Sequence, residues 1–254
     1  GSHTVISRWC RVQPGEKVLI ISVDRHVEES LALRAAADRC GAVVALLTIQ
    51  ERHSHPGSVF HSMKDFVLQN DVIIGATSFS LVTNRITQEV LSQGGRFLSL
   101  PLSSNNGQPA LAFDFMSMDP EEAGRTGHGM LEALRQAGRI HITTALGTDL
   151  SFGKRGRQPG LFNGLADRPG KVGSSSFEIY IGIEETQTSG RAVVDGSLGY
   201  LGRPAAPIPL TFQEGRLVQI DGETGAELKR YMDSFGDPGI YVAGELGIGL
   251  NKLS

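Results

Sequence analysis

Two glutamates in the second half of the chain stand where a carboxylate could bind a metal ion. Glu178 lies in the segment SSSFEIYIG, whose alternation places it on one face of a strand together with Tyr180. Glu245 follows the apolar run IYVAG and precedes the glycine-rich LGIGLN. A carboxylate buried in such a junction is costly unless it is paired or bound to a metal. The sequence leaves two interpretations open: both acids converge on a divalent cation, or each has a structural role.

Polar side chains also follow two predicted strands of the first half. After the strand predicted at 17–23 come Asp24, Arg25, His26 and Glu28, and after the strand predicted at 71–75 come Thr77, Ser78, Phe79 and Ser80. Open α/β sheets bind ligands at the carboxyl ends of their strands, so His26 and Ser78 are candidate substrate-binding residues. The alternative is a polar loop, with acids that favour a helix N-terminus and hydroxyls that cap the next helix.

Two further groups have the residue types of a site but a weaker pattern. An HxH motif with one more histidine nearby could ligate a metal, but the segment has the composition of a loop, so we expect solvated side chains at His53, His55 and His61. Asp149 and Asp195 stand in the turn-like segments GTDLSF and VVDGSLG. We keep Asp195 as a residue that could contact metal ligands.

Composition and missing motifs exclude several classes of protein. The chain has 254 residues, a formal net charge of −3 and two cysteines. It has no basic patch typical of nucleic-acid binding and no apolar run of the roughly 20 residues that span a membrane. The phosphate-binding GxxxxGK[ST], a GxGxxG after the first strand, GxSxG and HExxH are also missing. With no secretory signal or disulfide framework, we expect a cytoplasmic protein.

The elements that must position these residues change in character near residue 140. Apolar runs alternate with helical periodicity up to that point, with strands predicted at 17–23, 43–48, 71–75 and 96–100. This order predicts a three-layer α/β domain at 4–140 with a parallel, flavodoxin- or Rossmann-like sheet. Short strand-like pieces separated by glycine, proline and aspartate predict a β-rich α+β domain at 141–254, whose last strand we expect at 241–246.

The stretch from Leu146 to Asn251 resembles the second domain of the M29-type (thermophilic) metallo-aminopeptidases. The matching pieces are GTDLSF at 147–152, SSSFEIYIGIEE at 174–185, VVDGSLG at 193–199, LTFQEGRLVQIDG at 210–222 and AGELGIGLN at 243–251. The resemblance implies a homodimer with a divalent-metal site (zinc, cobalt or manganese) in the second domain. It also implies that Glu178 and Glu245 are metal ligands, with Tyr180 or Asp195 beside them.

The same superfamily includes the 2,5-dihydroxypyridine dioxygenases, which use one non-haem iron. Because both glutamates are retained, we expect a hydrolase that removes N-terminal amino acids from small peptides with metal-activated water. The alternatives are an iron-dependent dioxygenase that cleaves the ring of a small-molecule substrate, and a non-catalytic ligand-binding relative. The chain stops at Ser254 inside a family motif and has no histidine after His141, so we expect the second domain to be C-terminally incomplete.

Overall fold

A computed structural model describes residues 1–50, 57–78, 80–103 and 108–254. Strands and helices alternate in its first half, as the apolar runs predict. The four strands are β1 (Lys17–Val23), β2 (Val43–Ile49), β3 (Val72–Ala76) and β4 (Arg96–Ser99). The five helices are α1 (Val27–Arg39), α2 (Gly57–Ser62), α3 (Lys64–Val67), α4 (Arg85–Ser92) and α5 (Pro120–Gln136). Helix α4 begins after Asn84, whose side chain accepts a hydrogen bond from the Ile86 N–H.

These strands form a parallel sheet, and the chain adds strands first on one side of β1 and then on the other. The order is β2-β1-β3-β4-β8, where β8 is the short strand Val172–Ser174. All four neighbouring pairs are parallel. From β1 the chain first adds β2 on one side and later adds β3 on the other. The carboxyl ends of β1 and β3 therefore flank a topological switch point, where doubly wound sheets usually bind their ligands.

The interior of this sheet is apolar on the face that α4 covers. Leu19 and Ile21 of β1, with Ile73 of β3, pack in one buried cluster with Ile86 and Val90 of α4. Strand β2 is predicted to be a second buried strand, but six of its seven residues, 43–48, are half-buried or exposed. The reason is its position, since β2 is the edge strand and has a partner on one side alone.

The second half is rich in β-strands, as predicted. Its antiparallel sheet has the order β12-β11-β10-β6-β5, and a three-stranded sheet has the order β13-β9-β7. The strands not yet defined are β5 (Arg139–Thr143), β6 (Asp149–Gly153), β7 (Gly160–Phe162), β9 (Glu178–Gly182), β10 (Ser189–Val194), β11 (Ile208–Gln213), β12 (Arg216–Ile220) and β13 (Glu245–Gly249). One helix, α6 (Glu223–Asp233), follows β12. Leu150, Phe152 and Ile183 form the buried cluster of this half.

The last strand differs from the prediction for it. We expect a strand at 241–246, but Tyr241 ends a short helical turn and β13 spans Glu245–Gly249. Leu246 and Ile248 are half-buried, while Glu245, Gly247 and Gly249 are exposed. This alternation, and not the apolar run before it, marks the strand. Glu245 consequently opens a strand, whereas the prediction placed it next to the end of one.

The chain forms two compact units, and each unit consists of separate stretches of the sequence. One unit contains residues 1–127, 161–178 and 249–254, and the other contains residues 128–160 and 179–248. The prediction of one boundary, between residues 140 and 141, differs from this division. The difference arises because β8 joins the parallel sheet, with Phe97 opposite Val172. Among the described residues, no helix combines the length and the apolar character needed to cross a bilayer.

Candidate functional site

The two predicted metal ligands begin two different strands. Glu178 is the first residue of β9 and is half-buried. The alternation inferred from the sequence is confirmed in β9, where Ile179 and Ile181 are buried and Glu178 and Tyr180 lie on the other, half-buried face. Glu245 is exposed at the start of β13. Its carboxylate therefore carries no cost of burial.

Within the part of the chain that the structure describes, no set of metal ligands comes together. Over residues 1–50, 57–78, 80–103 and 108–254, no three side chains of His, Cys, Asp or Glu lie close enough together to hold one ion. Glu178 and Glu245 belong to different units, so the cation that they are expected to share stays a prediction. Asp195 follows β10 and is exposed. His53 and His55 lie outside the described residues, and His61, at the end of α2, is exposed.

His26 and Ser78, by contrast, are brought together. His26 follows β1 and Ser78 follows β3, so both lie at the carboxyl edge of the sheet. The His26 Nε2 atom is 3.4 Å from the Ser78 hydroxyl oxygen. Both residues are buried, with 8% and 5% of their surface exposed. The structure thus places both residues in one buried hydrogen-bonded cluster, whereas the alternative interpretation was a polar loop with helix-capping hydroxyls.

A third residue completes this cluster, and the sequence did not single it out. The Nδ1 atom of His26 lies 3.1 Å from Oε2 of Glu29. The other carboxylate oxygen of Glu29 accepts a hydrogen bond of 3.1 Å from the Leu111 N–H. The sequence pointed to Glu28, which is exposed. The signal for Glu29 is its spacing, because residues three apart share a helix face and His26 directly precedes α1.

Other hydroxyls at this edge of the sheet have different partners. Ser30 donates to Ser22 at 2.6 Å, and the hydroxyls of Ser80 and Ser99 are 2.9 Å apart. These are hydroxyl–hydroxyl pairs, in which neither partner is a base. Ser78 differs from them because it faces an imidazole nitrogen. We call His26, Glu29 and Ser78 the switch-point cluster.

Comparison with known proteins identifies the family. The model of the family described as "NicX: 2,5-dihydroxypyridine 5,6-dioxygenase" matches residues 4–254. The chain belongs to this family. No curated protein matches it.

Two solved structures share the fold. The 2,5-dihydroxypyridine dioxygenase from Pseudomonas putida KT2440 is 19% identical with a TM-score of 0.78, and the match covers 98% of this chain and 75% of that one. AmpT from Thermus thermophilus is 15% identical with a TM-score of 0.66, and the match covers 98% of this chain and 76% of that one. The resemblance to the 2,5-dihydroxypyridine dioxygenases is confirmed by the family match, and AmpT shares the fold. The α/β fold class is confirmed as well.

Proposed function

We propose that the protein is a dioxygenase that opens the ring of a hydroxylated pyridine. The observation that carries the proposal is the family match, which extends over residues 4–254. A 5,6-dioxygenase adds both atoms of O2 across the bond between ring carbons 5 and 6 and breaks that bond. From Glu178 and Glu245 we expected a hydrolase. The family match favours the dioxygenase, which was the alternative.

Iron is the cofactor that this proposal implies. Bound ferrous iron supplies the electrons that activate O2, and non-haem oxygenases usually hold it with two histidines and one carboxylate. The described residues do not fit such a set, since they include no cluster of three possible ligands. We therefore assign no catalytic step to a metal at a particular place in this chain. A divalent metal remains part of the proposal because both related families are metal-dependent.

Oxygen consumption tests the proposal directly. The protein is loaded with ferrous iron without air and then mixed with 2,5-dihydroxypyridine and O2. We expect one O2 to be consumed per molecule of substrate, and both atoms of ¹⁸O2 to appear in the ring-opened product. The control substrate is 2-hydroxypyridine, which lacks the hydroxyl at carbon 5. Equal consumption with both substrates, or none with either, would contradict the proposal.

An aminopeptidase is the second candidate, supported by the fold shared with AmpT. The same preparation, loaded in parallel with zinc, cobalt or manganese, is given leucine p-nitroanilide and short peptides. Release of free leucine with no oxygen consumption would favour the hydrolase. On the dioxygenase proposal we expect no release of leucine with any of the three metals.

A further inference from the structure

The switch-point cluster has the connectivity of a nucleophile, a base and a group that orients the base. In such a triad a serine hydroxyl contacts one imidazole nitrogen, and a carboxylate contacts the other. Here Ser78 lies at Nε2 of His26 and Glu29 lies at Nδ1. Triads are recognised by these contacts and not by the order of the residues along the chain. The Ser78–His26 distance of 3.4 Å is in the looser range found without a substrate.

The hydrogen bonds of Glu29 determine where the imidazole carries its proton. The Leu111 N–H donates to one oxygen of Glu29, so the carboxylate is the acceptor in that contact. An ionised carboxylate only accepts hydrogen bonds, so Nδ1 of His26 must be the donor in the contact of 3.1 Å. In neutral histidine Nε2 is then free to accept. The Ser78 hydroxyl therefore donates to Nε2, as a serine does before it attacks a substrate.

The position of the cluster favours a role in ligand binding over a role limited to stabilising the fold. Its two reactive members come from the loops after β1 and β3, which flank the switch point of the sheet. Open α/β sheets bind small molecules in that crevice. A buried serine that needed only a hydrogen-bond partner could pair with a neighbouring hydroxyl, as Ser30 and Ser22 do.

We propose that Ser78 is a nucleophile for acyl transfer, with His26 as its base and Glu29 as a positioning residue, acting on small esters or amides. The Ser78 oxygen forms a bond to the carbonyl carbon, and its proton passes to Nε2 of His26. The bond to the alcohol or amine then breaks, and the leaving group takes that proton. Water hydrolyses the acyl-serine by the same route and restores the hydroxyl. This activity is independent of the proposed dioxygenase reaction and needs no metal.

Covalent labelling with methanesulfonyl fluoride tests the proposal. This small reagent suits a site in which only 5% of Ser78 is exposed. Attack forms a bond from the serine oxygen to sulfur, and fluoride leaves. We expect peptide mass spectrometry to find the sulfonyl group on Ser78 of the metal-free protein, and none at this position in Ser78→Ala. An unlabelled Ser78 in the wild type would overturn the proposal, whatever the variants do.

Variants of His26 and Glu29 then test whether Ser78 is labelled because its hydroxyl is activated or only because the reagent can reach it. We expect labelling of Ser78 to slow by roughly 10²–10⁴-fold in His26→Asn, the usual contribution of a general base. Glu29→Gln should slow it as well, because an amide can donate to Nδ1 and leave the proton on Nε2. The matched control is Ser80→Ala, whose hydroxyl contacts Ser99 and not the imidazole. Unchanged labelling rates in both His26→Asn and Glu29→Gln, with unfolding temperatures like the wild type, would overturn the proposal.

Discussion

At the scale of single residues, the two cysteines should differ in reactivity. Burial raises the pKa of the Cys10 thiol to about 12, and the nearby Arg96 guanidinium offsets only part of this effect. Cys40, after the end of α1, is half-buried. Because the thiolate is the reactive form, we expect iodoacetamide at about pH 8 to alkylate Cys40 and to spare Cys10 until the protein unfolds. Peptide mass spectrometry before and after urea measures both sites.

The same pKa shift gives a dependence of stability on pH. The folded protein holds the Cys10 proton more tightly than the unfolded chain does, so this contribution is complete below the ordinary thiol value of 9.0. It is lost as the pH rises from that value to about 12. Cys10→Ala should remove this part of the pH dependence, and Cys40→Ala serves as the control. Rapid alkylation of Cys10 in the folded protein would contradict the assignment.

At the switch point, two of the three residues of the cluster could be predicted from the sequence. The rule that ligands bind at the carboxyl ends of strands selected His26 and Ser78, and the structure brings both together. The same reasoning named Glu28 in place of Glu29. Which of two adjacent acids faces His26 depends on where α1 begins, and helix ends are hard to place from sequence to within a residue.

At the scale of elements, the turn between β11 and β12 depends on Gly215. Its φ of +83° lies in the left-handed region, and a Cβ atom there would collide with the backbone oxygen of Glu185. Gly236 has a φ of +64°, also in the left-handed region, with no atom within 4 Å of such a Cβ. We expect Gly236→Ala to cost roughly 1–2 kcal/mol of stability from backbone strain alone. Gly215→Ala should cost distinctly more, because the collision adds to the same strain.

Urea unfolding of the two variants measures this difference. Both glycines lie in the same compact unit, so one transition reports on both. Both glycines have a φ in the left-handed region, and only at Gly215 would the added Cβ atom meet a backbone atom. Equal losses in the two variants would show that the backbone around Glu185 moves aside at no cost.

Most elements could be predicted because their signals are local. The run KVLIISV predicts a buried strand, and β1 spans Lys17–Val23 as expected. The predictions that failed needed information from distant parts of the chain. The exposure of β2 depends on its place at the sheet edge, and β8 finds its partner β4 more than 70 residues earlier in the chain. Neither fact is present in a window of neighbouring residues.

At the scale of the whole molecule, the family could be recognised from the order of its motifs, but the reaction could not. The pieces from GTDLSF to AGELGIGLN resemble the M29-type aminopeptidases, whereas the family model that matches the chain is that of a dioxygenase. Those pieces include the strands that begin at Glu178 and Glu245. A shared scaffold does not specify the chemistry, which depends on the groups around the reacting atoms.

Metal binding by the whole protein tests the two predicted ligands. Ferrous iron that binds the folded state alone stabilises it, by about 2.7 kcal/mol when the free metal is 100 times its dissociation constant. We expect iron added without air to raise the unfolding temperature of the wild type. If Glu178 and Glu245 are ligands, Glu178→Gln and Glu245→Gln should each lose most of this increase and keep the metal-free unfolding temperature.

The control for these variants is Glu227→Gln, an exposed glutamate of α6 that should retain the full increase. Elemental analysis of the same samples reports the metal bound per chain. Glu245 is exposed at the start of β13, so its loss should leave the packing of the metal-free protein unchanged. A Glu245→Gln variant that binds as much iron as the wild type would remove this residue from the ligand set. The resemblance to the peptidases would then extend to the scaffold but not to the metal site.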